Sequence, residues 1–386
     1  MRIAYVTETY PPEVNGVALT VARTIGDLRA AGHDVDVIRP RQANESVGAG
    51  HAEWRSPGWP IPVYPELRFG VALPSSVAAR FAAARPHVVH VATEGPLGWA
   101  AVTAARQLGI ATTSDFRTNF HRYSHYYRLG WTAPAIAAYL RHFHNRTLRT
   151  FAPTRQARAE LFAAGFQRVE IVGRGVDCGR FTPVRRDPAL RRRWGVGVGD
   201  GPVLLYVGRL APEKNVELAL RAYQCARRFI PGTRMVVVGD GPLRERLQRA
   251  HPDVVFTGVL AGDTLLAHYA SADIFLFPSL TDTFGNVTLE ALACGLPVVA
   301  FDVAAAAEHV TDRENGSLVS PGDGPGFVIA TSLLTSRHAE LDAMRREARR
   351  AALRADWHTV LRGFEARLAD VVHAHERNSP HLACAA

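Results

Sequence analysis

Two acidic side chains separated by seven residues are the residues of this chain best suited to chemistry. Asp282 falls in a predicted loop, where its carboxylate can accept hydrogen bonds from sugar hydroxyls. Glu290 lies about a turn and a half inside the helix predicted next, within reach of a ribose. The backbone N–H groups that open this helix can receive phosphate oxygens. They belong to Thr283, Phe284, Gly285, Asn286 and Val287. The pattern predicts a sugar-nucleotide site, because carboxylates are seldom buried in a scaffold without a partner.

Two cations follow a predicted strand that ends at Val207. The Arg209 guanidinium and the Lys214 ammonium suit a diphosphate, the first as a fork and the second as a point charge. Since negative charge develops on a leaving diphosphate, both would stabilise the transition state. A solvated basic loop is the alternative, and the presence of Asp282 and Glu290 in the same chain weakens it.

Two glycine-containing loops are less specific signals. Gly239 and Gly241 follow a predicted strand and open a helix, a pattern that a plain tight turn explains equally well. Asn15 and Gly16 begin another helix, where the backbone can approach phosphates or an acceptor. An ordinary capped helix is the alternative there, although asparagine does tolerate the positive φ of such loops. We treat all four residues as candidate donor-binding residues.

Alternating short strands and helices position these residues. In the first half, apolar runs predict strands at 3–7, 35–38, 88–91 and 110–114, with helices at 16–31 and 96–108. In the second half, strands are predicted at 203–207, 235–238, 254–256, 274–277 and 297–301, with helices at 216–229, 263–270 and 286–294. The alternation predicts an α/β protein with two doubly wound parallel sheets, whose ligands bind at the carboxyl ends of the strands.

Length and local composition predict the domain boundaries. A chain of 386 residues is too long for one ordinary core and suits two domains. Residues 40–75, rich in Pro, Gly and Ser, predict a long surface excursion. The predicted parts are an N-terminal domain at 1–181, a linker at 182–201, a C-terminal domain at 202–355, and a final helix and tail at 356–386 that frays after His373.

The composition is typical of a soluble globular protein. Hydrophobic residues make up 47% and charged residues 21% of the chain, and no apolar run is long enough for a spanning helix. The N-terminal apolar run is too short for a signal peptide. The cysteines lack metal-binding or disulfide spacing, which indicates reduced thiols in a cytosolic enzyme. They are Cys178, Cys225, Cys294 and Cys384.

The formal net charge of +9 has four interpretations. It suits nucleic acid, an anionic membrane surface or a phosphorylated substrate, or it reflects general arginine usage. No nucleic-acid-binding motif accompanies the charge, so we expect no nucleic-acid partner.

Together the motifs resemble the retaining glycosyltransferases of family 4, which have the GT-B fold. That family's signature is a Glu, seven residues and a second Glu, followed by Ala-x-Ala-x-Gly-x-Pro-Val-Val. Here Asp282 and Glu290 occupy the acidic positions, and 291–299 reads Ala-Leu-Ala-Cys-Gly-Leu-Pro-Val-Val. The family's Gly-Arg-Leu and Lys motif corresponds to 208–214, and its Pro-Pro-x-x-Gly-Gly loop corresponds to 11–16. Asp282 departs from the family Glu by one methylene.

A motif of the first domain departs from the family as well. Many members have a His beside the reacting sugar where this chain has Arg117. Arginine cannot shuttle a proton at neutral pH, but it can hold a sugar hydroxyl or a phosphate. We therefore prefer Arg117 to His121 as the group near the sugar. Asp115 is expected to orient Arg117 or to contact the acceptor, and Asn119 and His121 are further acceptor or sugar candidates.

The resemblance implies a retaining hexosyltransferase, with the donor in the second domain, the acceptor in the first, and a last helix that crosses back to the first. No metal or other cofactor is expected, because Arg209, Lys214 and backbone amides take the place of a cation. The motifs at 5–12, 116–121 and 281–287 look most like the GDP-mannose-dependent α-mannosyltransferase branch, acting on a lipid or glycan. The alternatives are a UDP-sugar-dependent glycolipid synthase of the same family, a sugar-nucleotide epimerase or phosphorylase of the same fold, and a non-catalytic module that binds a sugar nucleotide or a membrane.

Aromatic and basic residues interleave from Arg122 to Phe151. The segment predicts either an amphipathic core helix or an interfacial patch, where cations meet anionic lipid and aromatic rings lie at headgroup depth. The expected location is cytoplasmic. If the segment is an interfacial patch, we expect a peripheral position on the inner face of the plasma membrane.

Overall fold

The computed structural model describes residues 1–13, 16–42, 45–50, 52–61, 64–117, 133–197, 200–280, 282 and 284–378. The chain forms two compact units. The first contains Met1–Gly173 and the chain from Leu361 onwards, and the second contains Arg174–Val360. Four candidate site residues lie outside the described residues, so their predicted roles stay predictions. They are Asn15, Asn119, His121 and Thr283.

The first unit is built on an eight-stranded sheet of order β10-β9-β8-β7-β1-β2-β4-β3, parallel except for β3, with β5 and β6 as a separate antiparallel pair. Its strands are β1 (Arg2–Val6), β2 (Asp34–Pro40), β3 (Gly48–Ala49), β4 (Glu53–Ser56), β5 (Gly58–Ile61), β6 (Tyr64–Gly70), β7 (Val88–Val91), β8 (Ala111–Asp115), β9 (Arg149–Ala152) and β10 (Val169–Ile171). Its helices are α1 (Gly16–Ala30), α2 (Pro74–Ala84), α3 (Pro96–Gln107), α4 (Ala133–Asn145) and α5 (Arg155–Ala163).

Alternation along β1 explains why this sheet is covered on both faces. Ile3 and Tyr5 belong to one buried cluster with residues of α1, whereas Ala4 and Val6 belong to another with residues of α2 and α3. Successive side chains of a strand point to opposite faces, so an uninterrupted apolar run needs helices on both sides.

The second unit is built on a six-stranded, fully parallel sheet of order β13-β12-β11-β14-β15-β16. Its strands are β11 (Val203–Val207), β12 (Arg234–Val238), β13 (Val255–Gly258), β14 (Ile274–Phe277), β15 (Val298–Phe301) and β16 (Gly316–Val319). Its helices are α6 (Pro188–Arg193), α7 (Val216–Phe229), α8 (Arg244–Ala250), α9 (Gly262–Ser271), α10 (Asn286–Ala293), α11 (Ala304–His309), α12 (Gly324–Ser336) and α13 (His338–Arg354). Counted from β11, the order 3-2-1-4-5-6 is that of a Rossmann fold, with the reversal between β11 and β14.

The last helix, α14 (Trp357–Asn378), begins in the second unit and continues in the first from Leu361. Its Phe364, Leu368 and Val371 are buried in the same cluster as β1 and α1. The helix continues past His373, where fraying was expected, and His375 bonds the carbonyl of Gly109 at 2.7 Å.

Along the chain, the two units meet between Gly173 and Arg174, not in the predicted linker at 182–201. This segment belongs to the second unit, where Trp194 is buried in the core. Arg186 and Arg191 donate to the buried carboxylate of Asp273 at 2.6 and 2.8 Å. Proline and glycine content indicated a linker, but composition does not reveal buried ion pairs that fix a segment to its neighbours.

Residues 40–75 also differ from the prediction, because they contain four strands instead of one long excursion. β4 extends the parallel sheet beside β2. The buried Arg39 donates to Glu45 and to Glu53, in both cases at 2.6 Å. These ion pairs and the sheet edge order a stretch whose composition is typical of loops.

In the part of the chain that the structure describes, none of the helices combines the length and the apolar character needed to cross a lipid bilayer.

Candidate active site

The carboxyl edge of the second sheet brings together most of the predicted donor-site residues. Gly208 and Arg209 follow β11, Asp282 lies after β14, and Lys214 ends a 3₁₀ turn that precedes α7. β11 and β14 are neighbours at the point where the strand order reverses. In doubly wound sheets this is where ligands bind, so topology and motif agree.

Lys214 and Asp282 are in direct contact. The Lys214 ammonium donates to Asp282 Oδ1 at 2.7 Å, and the Ser279 hydroxyl donates to Oδ2. Both charged side chains are partly buried, with 16% and 21% exposure. The site therefore places the carboxylate predicted to meet sugar hydroxyls beside the ammonium predicted to meet phosphate, 68 residues away in sequence.

Asn215 explains how the chain turns from Lys214 into α7. It caps the helix with φ of 53°, in the left-handed region. Asparagine adopts this conformation more readily than most residues, which accounts for its presence where the family often has glycine.

Arg209 lies at the expected end of β11 and forms an ion pair with Glu213 in the next turn. The Tyr206 hydroxyl donates to the Arg209 carbonyl at 3.1 Å and fixes the backbone there. A phosphate would have to compete with the Glu213 carboxylate for the Arg209 guanidinium, and with the Asp282 carboxylate for the Lys214 ammonium.

Glu290 lies on α10 and accepts a hydrogen bond from the Tyr269 hydroxyl at Oε2, with a distance of 2.8 Å. Burial raises the pKa of Glu290, and the Tyr269 hydrogen bond partly offsets that effect. Tyr269 is buried on α9 and packs against Phe181 and Phe275. A carboxylate held at one oxygen can accept from a ribose hydroxyl at the other. No sequence signal pointed to Tyr269, because its contact with Glu290 depends on how α9 packs against α10.

The N-terminus of α10 follows Asp282. Gly285 caps this helix with φ of 86°, which most residues with a Cβ adopt only under strain. Asn286 and Val287 begin the helix, and the N–H groups of a first turn have no partner within the helix. The role predicted for Phe284 concerns its backbone N–H group, and it stays a prediction. Its ring is buried in the core and its carbonyl accepts from Ala305 N at 2.8 Å.

Gly239 and Gly241 allow two loops to pack closely. A Cβ at Gly239 would lie 1.9 Å from the Gly208 carbonyl oxygen, and one at Gly241 would lie 2.5 Å from the Leu210 oxygen. Between them, Leu210 N donates to Asp240 O at 2.8 Å. The loops after β11 and β12 are thus fixed to each other, and a donor contact by either glycine stays a prediction. In the first unit, the candidate Gly16 is the first residue of α1.

Asp115 and Arg117 form a buried pair at the end of β8 in the first unit. Arg117 Nε donates to Asp115 Oδ2 at 2.5 Å, and Nη2 donates to the Tyr5 hydroxyl at 3.4 Å. Through this contact Asp115 can orient Arg117. The role of Arg117 beside a sugar stays a prediction.

Two acidic residues that the sequence analysis did not single out lie at the same edge of the first sheet. Glu8 follows β1 and accepts from Gly70 N and, at 3.0 Å, from Leu97 N. Glu94 follows β7 and is buried. Burial raises the pKa of Glu8 to about 7 and that of Glu94 to about 8. Both residues come soon after buried apolar strands, and this position was the sequence signal that could have identified them.

The segment from Arg122 to Phe151 is described only from residue 133 onwards. Leu140 and Phe143 of α4 are buried, as the core-helix interpretation requires. On the outer side, Tyr139 and His142 stack with Trp99 of α3 at 5.8 and 5.6 Å. The Arg146 guanidinium lies 4.9 Å from the centre of a Trp99 ring. We name Trp99, Tyr139, His142 and Arg146 the Trp99 face.

Two family models match the chain. Residues 14–180 match "Glycosyltransferase Family 4", and residues 201–336 match "Glycosyl transferases group 1". A GDP-mannose-dependent alpha-mannosyltransferase of Mycolicibacterium smegmatis is 38% identical over 93% of this chain and 95% of its own length. The protein of the same name from Mycobacterium tuberculosis is 37% identical over 84% and 85%.

Among solved structures, the sucrose-phosphate synthase of Thermosynechococcus elongatus aligns with a TM-score of 0.77 at 20% identity. The alignment covers 97% of this chain and 99% of that one. At this identity the likeness shows the fold, which is GT-B.

Proposed function

The chain belongs to glycosyltransferase family 4, and from that premise we propose that it transfers mannose from GDP-mannose to a hydroxyl group of a lipid or glycan acceptor, with α configuration. The single observation that carries the proposal is the pair of built contacts at the carboxyl edge of the second sheet. There Lys214 contacts Asp282, and Tyr269 holds Glu290. The choice of GDP-mannose is supported by the names of relatives that align along most of the chain.

In the proposed reaction, the bond between the sugar C1 and the diphosphate oxygen breaks while the acceptor oxygen forms a new bond to C1 on the same face. The acceptor proton ends on the departing GDP. Asp282 would hold sugar hydroxyls and Glu290 the ribose. Lys214, Arg209 and the first N–H groups of α10 would neutralise charge on the leaving diphosphate. The proposal includes no metal ion, since these cations act where the charge develops.

The test compares donors with purified protein and a lipid extract, in the presence of EDTA. GDP-mannose should give an α-mannosidase-sensitive product, whereas UDP-glucose should give none. GDP should also raise the melting temperature more than UDP, because a ligand stabilises the state that binds it. Better protection by UDP, with transfer from a UDP-sugar, would contradict the mannosyl donor while leaving the family unchanged.

We also propose that the acceptor is presented at a membrane surface by the first unit. The Trp99 face combines stacked aromatic rings with a cation, and Arg141 of the same helix α4 is exposed. Aromatic rings and cations together suit the headgroup region of an anionic leaflet. The net charge of +9 favours the same surface.

A further inference from the structure

The first sheet has its own reversal of strand order, between β1 and β7. Glu8 follows β1, Glu94 follows β7 and Arg117 follows β8, so their positions meet at the carboxyl edge around this reversal. The sheet rule that places ligands beside β11 and β14 in the second unit applies equally here. The first unit therefore offers a second place for a ligand, with charged side chains around it.

Internal contacts satisfy part of this group. Glu8 accepts from two backbone N–H groups, those of Gly70 and Leu97. Arg117 donates from Nε to Asp115. Glu8 and Arg117 are thus each held in place by neighbours within the first unit.

Two buried polar atoms in the same group have no hydrogen-bond partner among the described residues. They are Glu94 Oε1 and Arg117 Nη1. The two residues are only 5% and 9% exposed, and the Arg117 charge lowers the pKa of Glu94 against the larger, opposite effect of burial. A buried donor or acceptor without a partner is costly, and such atoms in a native protein call for an explanation.

A hydroxyl group can form a hydrogen bond with both atoms, because its hydrogen can be donated to a carboxyl oxygen while its oxygen accepts from a guanidinium. An amine or metal cation fits less well, since Arg117 already supplies positive charge. Burial, with smaller contributions from the acidic Glu8 and Asp115, raises the pKa of Glu94 to about 8. Near neutral pH the carboxyl is then mostly protonated, which favours an uncharged partner.

We propose that Glu94 and Arg117 bind a hydroxyl group of the acceptor, so that Glu94 selects for a polyhydroxylated acceptor such as a sugar or polyol. This inference rests on the proposed function and identifies one residue that would recognise the acceptor. Glu94 is a binding residue in this account and takes no proton from the reacting hydroxyl.

The test uses saturation-transfer NMR with methyl α-D-glucopyranoside as the probe, and calorimetry with GDP as a second readout. The wild-type protein should show transfer to the probe. Glu94→Ala should weaken probe binding about tenfold, as expected for the loss of one hydrogen bond. Glu94→Gln should keep most of the binding, because its amide still donates and accepts. Asp34→Ala removes an exposed carboxylate at the opposite edge of the sheet and should change neither readout.

Equal probe binding by Glu94→Ala and the wild type would overturn the inference, and so would an absence of transfer to the wild type. If Glu94→Ala does not fold, Arg117→Met removes the other unpaired atom and keeps much of the side-chain volume, with the same expected loss. The proposed function fails in a different way, through lack of GDP binding or GDP-mannose turnover by the wild type. A merely structural role of Glu94 would lower the melting temperature and the GDP affinity together.

Discussion

Lys214 is the only lysine among the 45 lysine and arginine residues of this chain. Everywhere else the chain uses arginine for positive charge, yet this position in the candidate site has a compact ammonium. An ammonium is a point charge that fits beside the Asp282 carboxylate and still reaches a phosphate, whereas a guanidinium is larger and planar. The site thus has a cation whose type, as well as charge, suits its place.

Lys214→Ala should weaken binding of GDP by about tenfold or more, because a charge-assisted hydrogen bond to phosphate is lost. Binding of guanosine, which lacks phosphate, should change little. Calorimetry with both ligands measures the difference, and Arg228→Ala, at an exposed position of α7, serves as the control. An equal loss for GDP and guanosine would show that Lys214 is not a phosphate ligand.

Tyr269→Phe should weaken GDP binding without unfolding the protein, because it removes only the hydroxyl that holds Glu290. We expect a loss of up to about tenfold, the value of one ordinary hydrogen bond. Glu290→Gln alone should cost more. If Tyr269 acts through Glu290, the double variant should bind GDP no more weakly than Glu290→Gln. Additive losses would mean that the two residues act separately.

Sequence spacing was sufficient to nominate Asp282, Glu290 and Lys214 as candidates, because a motif reports which residues belong to one strand end or one helix. It could not select Tyr269 or Glu94. The contact of Tyr269 with Glu290 depends on how two helices pack. The position of Glu94 in a group of charged residues depends on which strands become neighbours in the sheet. Both are consequences of tertiary structure that a linear pattern does not contain.

Strands and helices with strong apolar periodicity were predicted closely, as the strand Val203–Val207 and the helix Val216–Phe229 show. The exceptions were segments that composition describes badly. Residues 40–75 form strands because β2 offers an edge and Arg39 offers a buried charge. Residues 182–201 pack because Asp273 binds two of their arginines. Pairing with distant elements overrode local composition in both segments.

Charge reversal at Arg146 of the Trp99 face and at Arg141 of the same helix should abolish binding to anionic vesicles. Wild-type protein should float with vesicles of phosphatidylglycerol and phosphatidylcholine at low salt and detach at high salt, since screening at physiological ionic strength limits surface attraction to about 8 Å. Arg141→Glu with Arg146→Glu should not float. Arg228→Glu is the matched control on the second unit. Failure of the wild type to float at low salt would leave α4 with a core role only.

At the scale of the whole molecule, buried acidic groups should make the stability of the first unit depend on pH. The pKa values of Glu8 and Glu94 are raised to about 7 and about 8 by burial, from 4.5. The folded state therefore binds more protons than the unfolded state over this interval. The contribution of these groups to stability is complete below about pH 4.5 and is lost as pH rises through 7 and 8.

Glu94→Gln should flatten that dependence. Each unit of pKa shift corresponds to about 1.4 kcal/mol, so ionising Glu94 should cost the wild type a few kcal/mol that the variant does not lose. The measurement is the urea midpoint of unfolding at pH 6 and at pH 8.5. The wild type should lose more between the two values than Glu94→Gln, and parallel losses would show that Glu94 does not titrate in this range.

The most direct test of the account is turnover of GDP-mannose by Asp282→Asn and Glu290→Gln. Each substitution preserves size and replaces a carboxyl group of the candidate site with an amide. Each should leave the melting temperature close to that of the wild type. Each should also lower turnover by about tenfold to a hundredfold, because a charge-assisted hydrogen bond to the donor is worth roughly 1.5–3 kcal/mol. Turnover within about twofold of the wild type for both variants, a difference of about 0.4 kcal/mol, would contradict the assignment of this edge of the second sheet as the donor site.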